Sequence, residues 1–321
     1  MGINKIKSCS SPPLDPKKFQ NPNYTLGGER RAAVDLTSLE ILWFNTGTIC
    51  NLACRNCYIH SSPTNDELVY LKLVEVSDFL NQISTKKYKT REVGFTGGEP
   101  FMNPELIDMV QLCLNSGFKV LVLTNAMKPM MHRRDELLAL QARSPSLLEM
   151  RVSIDHYSRT KHQLERGENS WDPAVRGLKW LSDNGFEPSV AGRLCWSESE
   201  SEMRSGYDNL FTEHELDIDA HDPSKLMLFP EMDSKLDVPE ITENCWDSLG
   251  LSSEQVMCAN SRMVLKRRDA ARPSVVPCTL LADDPKFELG ISLSEADRKV
   301  SLNHPHCARF CVLGGGRCST V

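Results

Sequence analysis

The chain has 321 residues, enough for one large or two modest domains, and its 43 acidic against 37 basic residues leave a net charge of −6. That balance argues against a nucleic-acid binder held mainly by a positive face. With 40% hydrophobic and 25% charged residues the composition is that of a globular protein, no run approaches the roughly 18 apolar residues that cross a bilayer, and no secretory signal opens the chain. Ile6 breaks the myristoylation pattern that Gly2 would begin. The expectation is a cytosolic protein without a membrane or nucleic-acid partner.

Residues 1–37 are polar, contain Ser10-Ser11-Pro12-Pro13 and read as an extended arm. From residue 38 onward, β-rich runs at 40–45, 92–96, 119–124, 149–154, 187–194 and 225–229 alternate with amphipathic stretches at 74–84, 104–116, 134–142, 173–184 and 200–212. In the second of these stretches Leu106, Val110, Cys113 and Leu114 share one helical face, which makes Cys113 a core thiol. Such alternation predicts an α/β fold of right-handed βαβ units on a parallel sheet. Six units are too few for a closed eightfold barrel, leaving a partial (β/α)6 barrel or an open doubly wound sheet. In both, the reactive site lies at the C-terminal strand ends. Beyond about residue 240 the pattern changes to a β-hairpin, with strands at 260–266 and 273–276 and Lys266-Arg267-Arg268 at its solvated tip. The expected division is an arm (1–37), a core (38–239) and a C-terminal cysteine-rich domain (240–321).

Twelve cysteines are unusual for a reducing compartment, where clustered thiols read as metal ligands or redox centres rather than disulfides. Cys50-Asn51-Leu52-Ala53-Cys54-Arg55-Asn56-Cys57-Tyr58 is a C-x3-C-x2-C run after the first predicted core strand. Three thiolates on one loop can meet one face of an iron–sulfur cubane, which ordinarily takes four, so one iron would stay open to another ligand. Zinc is the plainer alternative, with His60 the nearest fourth ligand. Gly94-Phe95-Thr96-Gly97-Gly98-Glu99-Pro100 ends the second strand, and its glycines and carboxylate suit close approach to a small ligand.

These two segments resemble the radical S-adenosylmethionine (SAM) superfamily. The resemblance implies a [4Fe–4S] cluster on Cys50, Cys54 and Cys57, with SAM on its fourth iron. It implies that Gly97, Gly98, Glu99 and Pro100 hold the SAM amino group. Polar groups at later strand ends, Asn125, Ser153 and Asp155, would complete the SAM site, with capping and turn formation as alternative roles for Ser153 and Asp155, and Arg193 would meet a carboxylate of SAM or of the substrate. Asn56 departs from the aromatic residue common before the last cysteine, and Tyr58 is the candidate to pack on the cofactor instead. The implied reaction is reductive cleavage of SAM to a 5′-deoxyadenosyl radical that takes hydrogen from a small-molecule or peptide substrate. A flavodoxin- or ferredoxin-like one-electron reductant would supply the electron.

Cys258 and Cys278 stand at the open ends of the hairpin, and Cys307-x3-Cys311-x6-Cys318 follows. This group resembles the SPASM or twitch extension that carries an auxiliary cluster. Five thiols suit one auxiliary [4Fe–4S] cluster with one to spare, and spacing does not say which; thiolate zinc fits the same pattern. Cys245 reads as core. Cys195 is a packed thiol or a hydrogen-atom donor facing the cavity. The rival from another class is a non-catalytic iron–sulfur or zinc scaffold that moves electrons, for which an amino-acid-binding Gly-Gly-Glu-Pro strand end has no use.

Overall fold

A computed structural model describes residues 12–230, 232–316 and 318. Its main sheet has the order β7-β6-β5-β4-β3-β2-β8-β9. The core strands are β2 (Ile41–Asn45), β3 (Glu92–Thr96), β4 (Lys119–Thr124), β5 (Leu148–Ser153), β6 (Ser189–Leu194) and β7 (Leu226–Pro230), each parallel to the next. Short apolar runs such as Ile-Leu-Trp-Phe-Asn in β2, buried at every position, are what strands covered on both faces require. Because neighbours in sequence are neighbours in the sheet, without the reversal of a doubly wound fold, the partial-barrel alternative is the one adopted.

The intervening helices are α1 (Leu73–Lys86), α2 (Leu106–Asn115), α3 (Lys128–Met131), α4 (Arg134–Arg143), α5 (Arg159–Arg166), α6 (Trp171–Asp183) and α7 (Glu200–Glu213). The last begins with a capping box in which Ser199 and Glu202 satisfy each other's backbone N–H groups. Neither α3 nor α5 was anticipated from periodicity. Cys113 lies fully buried on α2, as its spacing requires.

The hairpin forms as expected, with β8 (Ser261–Leu265) antiparallel to β9 (Ser274–Val276). It does not stand apart: β8 also pairs in parallel with β2, so the sheet continues into the cysteine-rich segment. Its tip is pinned rather than freely solvated, since Lys266 meets Glu75 at 2.5 Å and Arg267 and Arg268 pair with Glu288 and Asp66.

The described part of the N-terminal arm is tied down. Its strand β1 (Ala33–Val34) pairs with β10 (Val300–Ser301), and Leu14 N–H donates to the Lys235 carbonyl. Arg31, only 3% exposed, reaches Glu240 at 2.5 Å and the carbonyls of Asn21, Tyr24 and Leu302. Ser10, Ser11 and Cys9 lie outside the described residues. Among the described residues, no helix is long and apolar enough to cross a membrane.

Candidate functional site

At the C-terminal ends of the core strands one cavity of about 170 Å³ gathers Cys50, Cys54, Cys57, Tyr58, Gly97, Gly98, Asn125, Ser153, Asp155 and Arg193. Sequence motifs separated by more than 140 residues therefore share one wall. A larger groove of about 930 Å³ runs between α6 and α7 on the outer surface and contains none of the thiols.

The cysteine loop is held from three sides. Ile49 pairs with Ser62, Arg55 N–H donates to the Glu165 carbonyl, and Asn51 accepts from the Asn125 side chain at 2.9 Å. Two sulfurs accept backbone N–H groups, Leu52 to Cys50 at 3.4 Å and Ser61 to Cys57 at 3.3 Å. Such bonds stabilise negative charge on sulfur and set the potential of a bound cluster. Burial pushes the Cys50 thiol up to about 12 and raises Cys54, where Arg166 acts in the opposite direction. Bound metal would reverse that preference, because a ligating thiol is deprotonated.

Gly97 and Gly98 serve the loop before any ligand. A Cβ on Gly98 would lie 2.3 Å from the Ile49 carbonyl oxygen, and one on Gly97 would lie 2.6 Å from that of Gly47. Gly97 also has φ of 141°, a region that side chains avoid. Both residues still line the cavity; Glu99 and Pro100 do not. The Glu99 carboxylate accepts from Phe101 N–H, the Thr124 hydroxyl and Asn125 N–H, so it clamps the end of β3 to the end of β4. Burial nevertheless raises its pKa to about 7. Pro100 is buried in the first turn of a 3-10 helix at Pro100–Met102.

Charged residues from α5, not identified in the sequence, organise the opposite wall. Arg166 pairs with Asp155 through Nε at 2.7 Å and Nη2 at 3.2 Å. Burial works upward on Asp155, but the Arg166 guanidinium outweighs it and holds the carboxyl below its ordinary range. Glu165 accepts from Asn56 at 2.7 Å and from Arg193 at 3.2 Å. The residue standing where the family's aromatic would be is thus joined through Glu165 to Arg193 in a polar bridge. Ser61, 6% exposed, also lines the cavity, and its hydroxyl has no hydrogen-bond partner among the described residues.

The C-terminal thiols form a second group. Cys258 ends up beside the start of β8 and Cys278 just past β9, while a π-helical turn, Cys307–Val312, carries Cys307 and Cys311. Burial raises all five, Cys258 to about 11 and Cys307 to about 12. Cys311 feels the charge of Cys278, Cys307, Cys258 and Cys318, so these five side chains occupy one neighbourhood. Tyr58 lies between the two groups, influenced by Cys57 on one side and by Cys318 and Cys278 on the other, and burial raises its hydroxyl. Cys195 is absent from the cavity wall, and Cys245 is half-buried with its sulfur accepting from Thr242 N–H. No disulfide joins the eleven described cysteines.

Zinc ligation would draw three or four sulfurs to about 2.3 Å from one ion. Among the described residues, no three Cys, His, Asp or Glu side chains are arranged to hold a single ion. His60 is exposed, and its charge acts on Asp283. The donor set instead suits a larger group: three thiols on one wall, backbone N–H groups on two of the sulfurs, a buried guanidinium and a glycine-lined strand end.

The family profile of the radical SAM superfamily matches residues 44–204, half of the chain and the whole of this constellation up to β6. The chain belongs to the radical SAM superfamily. Radical SAM proteins bind a [4Fe–4S] cluster and SAM. Among curated relatives, the antilisterial bacteriocin subtilosin biosynthesis protein AlbA of Bacillus subtilis is 28% identical over 143 residues, 44% of this chain and 30% of that protein. GTP 3′,8-cyclase of Shewanella denitrificans is 29% identical over 143 residues, 43% of this chain and 39% of that protein. The chain thus spans about a third of the length of these relatives. In fold it is similar to Streptococcus suis SuiB bound to precursor peptide SuiA, with a TM-score of 0.58 and 12% identity over 80% of this chain and 63% of that one. It is also similar to anSMEcpe with bound AdoMet, with a TM-score of 0.57 and 14% identity over 84% and 82%.

Proposed function

We propose that this chain is a radical SAM enzyme that cleaves SAM reductively and takes hydrogen from a peptide or small-molecule substrate. The supporting observation is the single cavity in which the Cys50–Cys54–Cys57 loop faces the Gly97-Gly98 strand end and the charged ends of β5 and β6. Cys50, Cys54 and Cys57 would hold the cluster. Gly97 and Gly98 would meet the SAM amino group through backbone carbonyls, with Glu99 as the residue that positions them. Ser153, Asp155 with Arg166, Asn125 and Arg193 would meet the carboxylate and ribose, and the Tyr58 ring would flank the cofactor. When bound, the cluster and SAM supply a carbon radical able to break C–H bonds; the protein's part is to orient substrate and exclude water.

The cavity encloses less space than the 300–1,000 Å³ usual for cofactor sites. Phe229, Met232, Leu280 and Phe310 form its apolar wall. A partial barrel leaves its side open, and the C-terminal segment would cover it, a reading that the 5.3 Å contact of Phe229 with Phe310 supports. In this segment we assign a twitch-like auxiliary cluster to Cys258, Cys278, Cys307 and Cys311. The peptide-processing relatives support a peptide substrate, and GTP 3′,8-cyclase supports a small molecule; a low-potential one-electron reductant serves either.

The test is 5′-deoxyadenosine formation by anaerobically reconstituted, dithionite-reduced protein supplied with SAM. Wild type should produce it, and Cys57→Ala should reduce it at least a hundredfold. Clusters assembled in full with neither SAM binding nor cleavage would leave an electron-transfer scaffold as the function.

A further inference from the structure

We propose that Cys318 is not a ligand of the C-terminal cluster but presents its S–H to the cavity as a hydrogen-atom donor, an inference that rests on the radical SAM reading above. Of the five C-terminal thiols, Cys318 is the one that lines the cavity with Cys50, Cys54 and Cys57. Its place is built rather than incidental. Fully buried Arg151 donates from Nη1 to the Cys318 carbonyl at 2.6 Å and is itself braced by Ser189 and Glu149. Cys318 N–H donates to Met257 Sδ at 3.2 Å, and its sulfur lies 3.0 Å from the Thr279 hydroxyl. The four other thiols have positions off this wall, two flanking the hairpin and two on the π-helical turn.

A second observation marks this cavity as a place where a polar ligand sits. Ser61, buried on the same wall, has a hydroxyl without a hydrogen-bond partner among the described residues, and a group so buried is costly unless a ligand satisfies it. Besides Arg151, the cavity wall carries the apolar side chains of Leu280, Phe310, Phe229 and Met232. A carbon radical formed there would meet an S–H bond, which is weaker than an aliphatic C–H bond. The step balances simply. The carbon radical gains hydrogen, a C–H bond forms as the S–H bond breaks, and a thiyl radical remains on Cys318. One electron from the low-potential reductant and one solvent proton restore the thiol. Such a donor suits reactions that return hydrogen to the substrate rather than remove an electron from it.

The inference can be tested without the natural substrate. Reconstituted, dithionite-reduced protein is given SAM alone in D2O, where thiol hydrogen exchanges, and the 5′-deoxyadenosine is weighed by mass spectrometry. Wild type should yield product carrying one solvent deuterium. Cys318→Ala and Cys318→Ser should lower that fraction at least fivefold while each chain keeps about eight irons, the content of two cubanes. Unchanged labelling in both variants would overturn the proposal, as would loss of about four irons in Cys318→Ser, which would make Cys318 a ligand. Absence of 5′-deoxyadenosine from wild type, with its irons in place, would instead overturn the radical SAM reading. In that case iron retention in the variants would still place Cys318 outside the ligand set.

Discussion

Gly98 leaves no space for a methyl group, because the cysteine loop passes within contact distance of its Cα. Gly98→Ala should therefore push the loop outward at a cost of about 1–3 kcal/mol. Reconstituted protein should then lose more than half of the roughly four irons of the first site while keeping those of the second; iron analysis with urea unfolding checks both. Much of this wall was legible in the sequence, since thiols and glycines crowd into short motifs. What was not legible is the polar wall opposite. Arg166, Glu165 and Ser61 occur in no recognisable pattern, and their importance comes from the groups that the fold brings to them: Asp155, Arg193 and the cavity itself. The role of Glu99 also differs from expectation, because a carboxylate that accepts three hydrogen bonds from its own scaffold is a brace first.

At the scale of elements, strands were the easy part. Their runs are rich in apolar and β-branched residues, and β3 and β4 have the bounds that their residues suggest. Helix α5 was invisible for a physical reason: Arg-Thr-Lys-His-Gln-Leu-Glu-Arg buries His162 and Glu165 and leaves Leu164 exposed, the inverse of an amphipathic pattern. The N-terminal strap offers no apolar stripe for periodicity to find, because it is held by the buried Arg31–Glu240 pair, the β1–β10 pairing and backbone hydrogen bonds. Arg31→Met should cost about 3 kcal/mol, the low end for breaking a buried pair, since Glu240 retains the N–H groups of Phe19 and Leu26. Limited proteolysis should then cut within residues 12–30 faster than in wild type, and urea unfolding gives the energy.

For the molecule as a whole, buried titratable groups make stability depend on pH in two opposed ways. Burial lowers His162 and His156 to about 4, and neither ring nitrogen of fully buried His162 has a partner among the described residues. An unfolded histidine binds its proton near 6.5, so between about 6.5 and 4 the unfolded state holds more protons and stability falls as pH falls. Glu99 has the reverse sign. Its folded carboxyl keeps a proton up to about 7, above the unfolded value, so its contribution is lost as pH rises from about 4.5 to 7. Urea midpoints at pH 5 and 7 separate the two: His162→Leu should gain stability relative to wild type at pH 5, and Glu99→Gln, which gives up one accepted hydrogen bond, should cost less at pH 7 than at pH 5.

The sheet that joins early and late strands also sets a schedule. Cys50, Cys54 and Cys57 leave the ribosome about 220 residues before Leu280, and Phe310 and Cys318 follow later still, yet these residues form one wall. At 5–20 residues per second, that separation is roughly 10–45 s of synthesis. Through that interval the three thiols are present and the later part of their wall is not yet made, so a cluster inserted then would meet no cover. In the finished protein, by contrast, the same thiols share their wall with Leu280, Phe310 and Cys318.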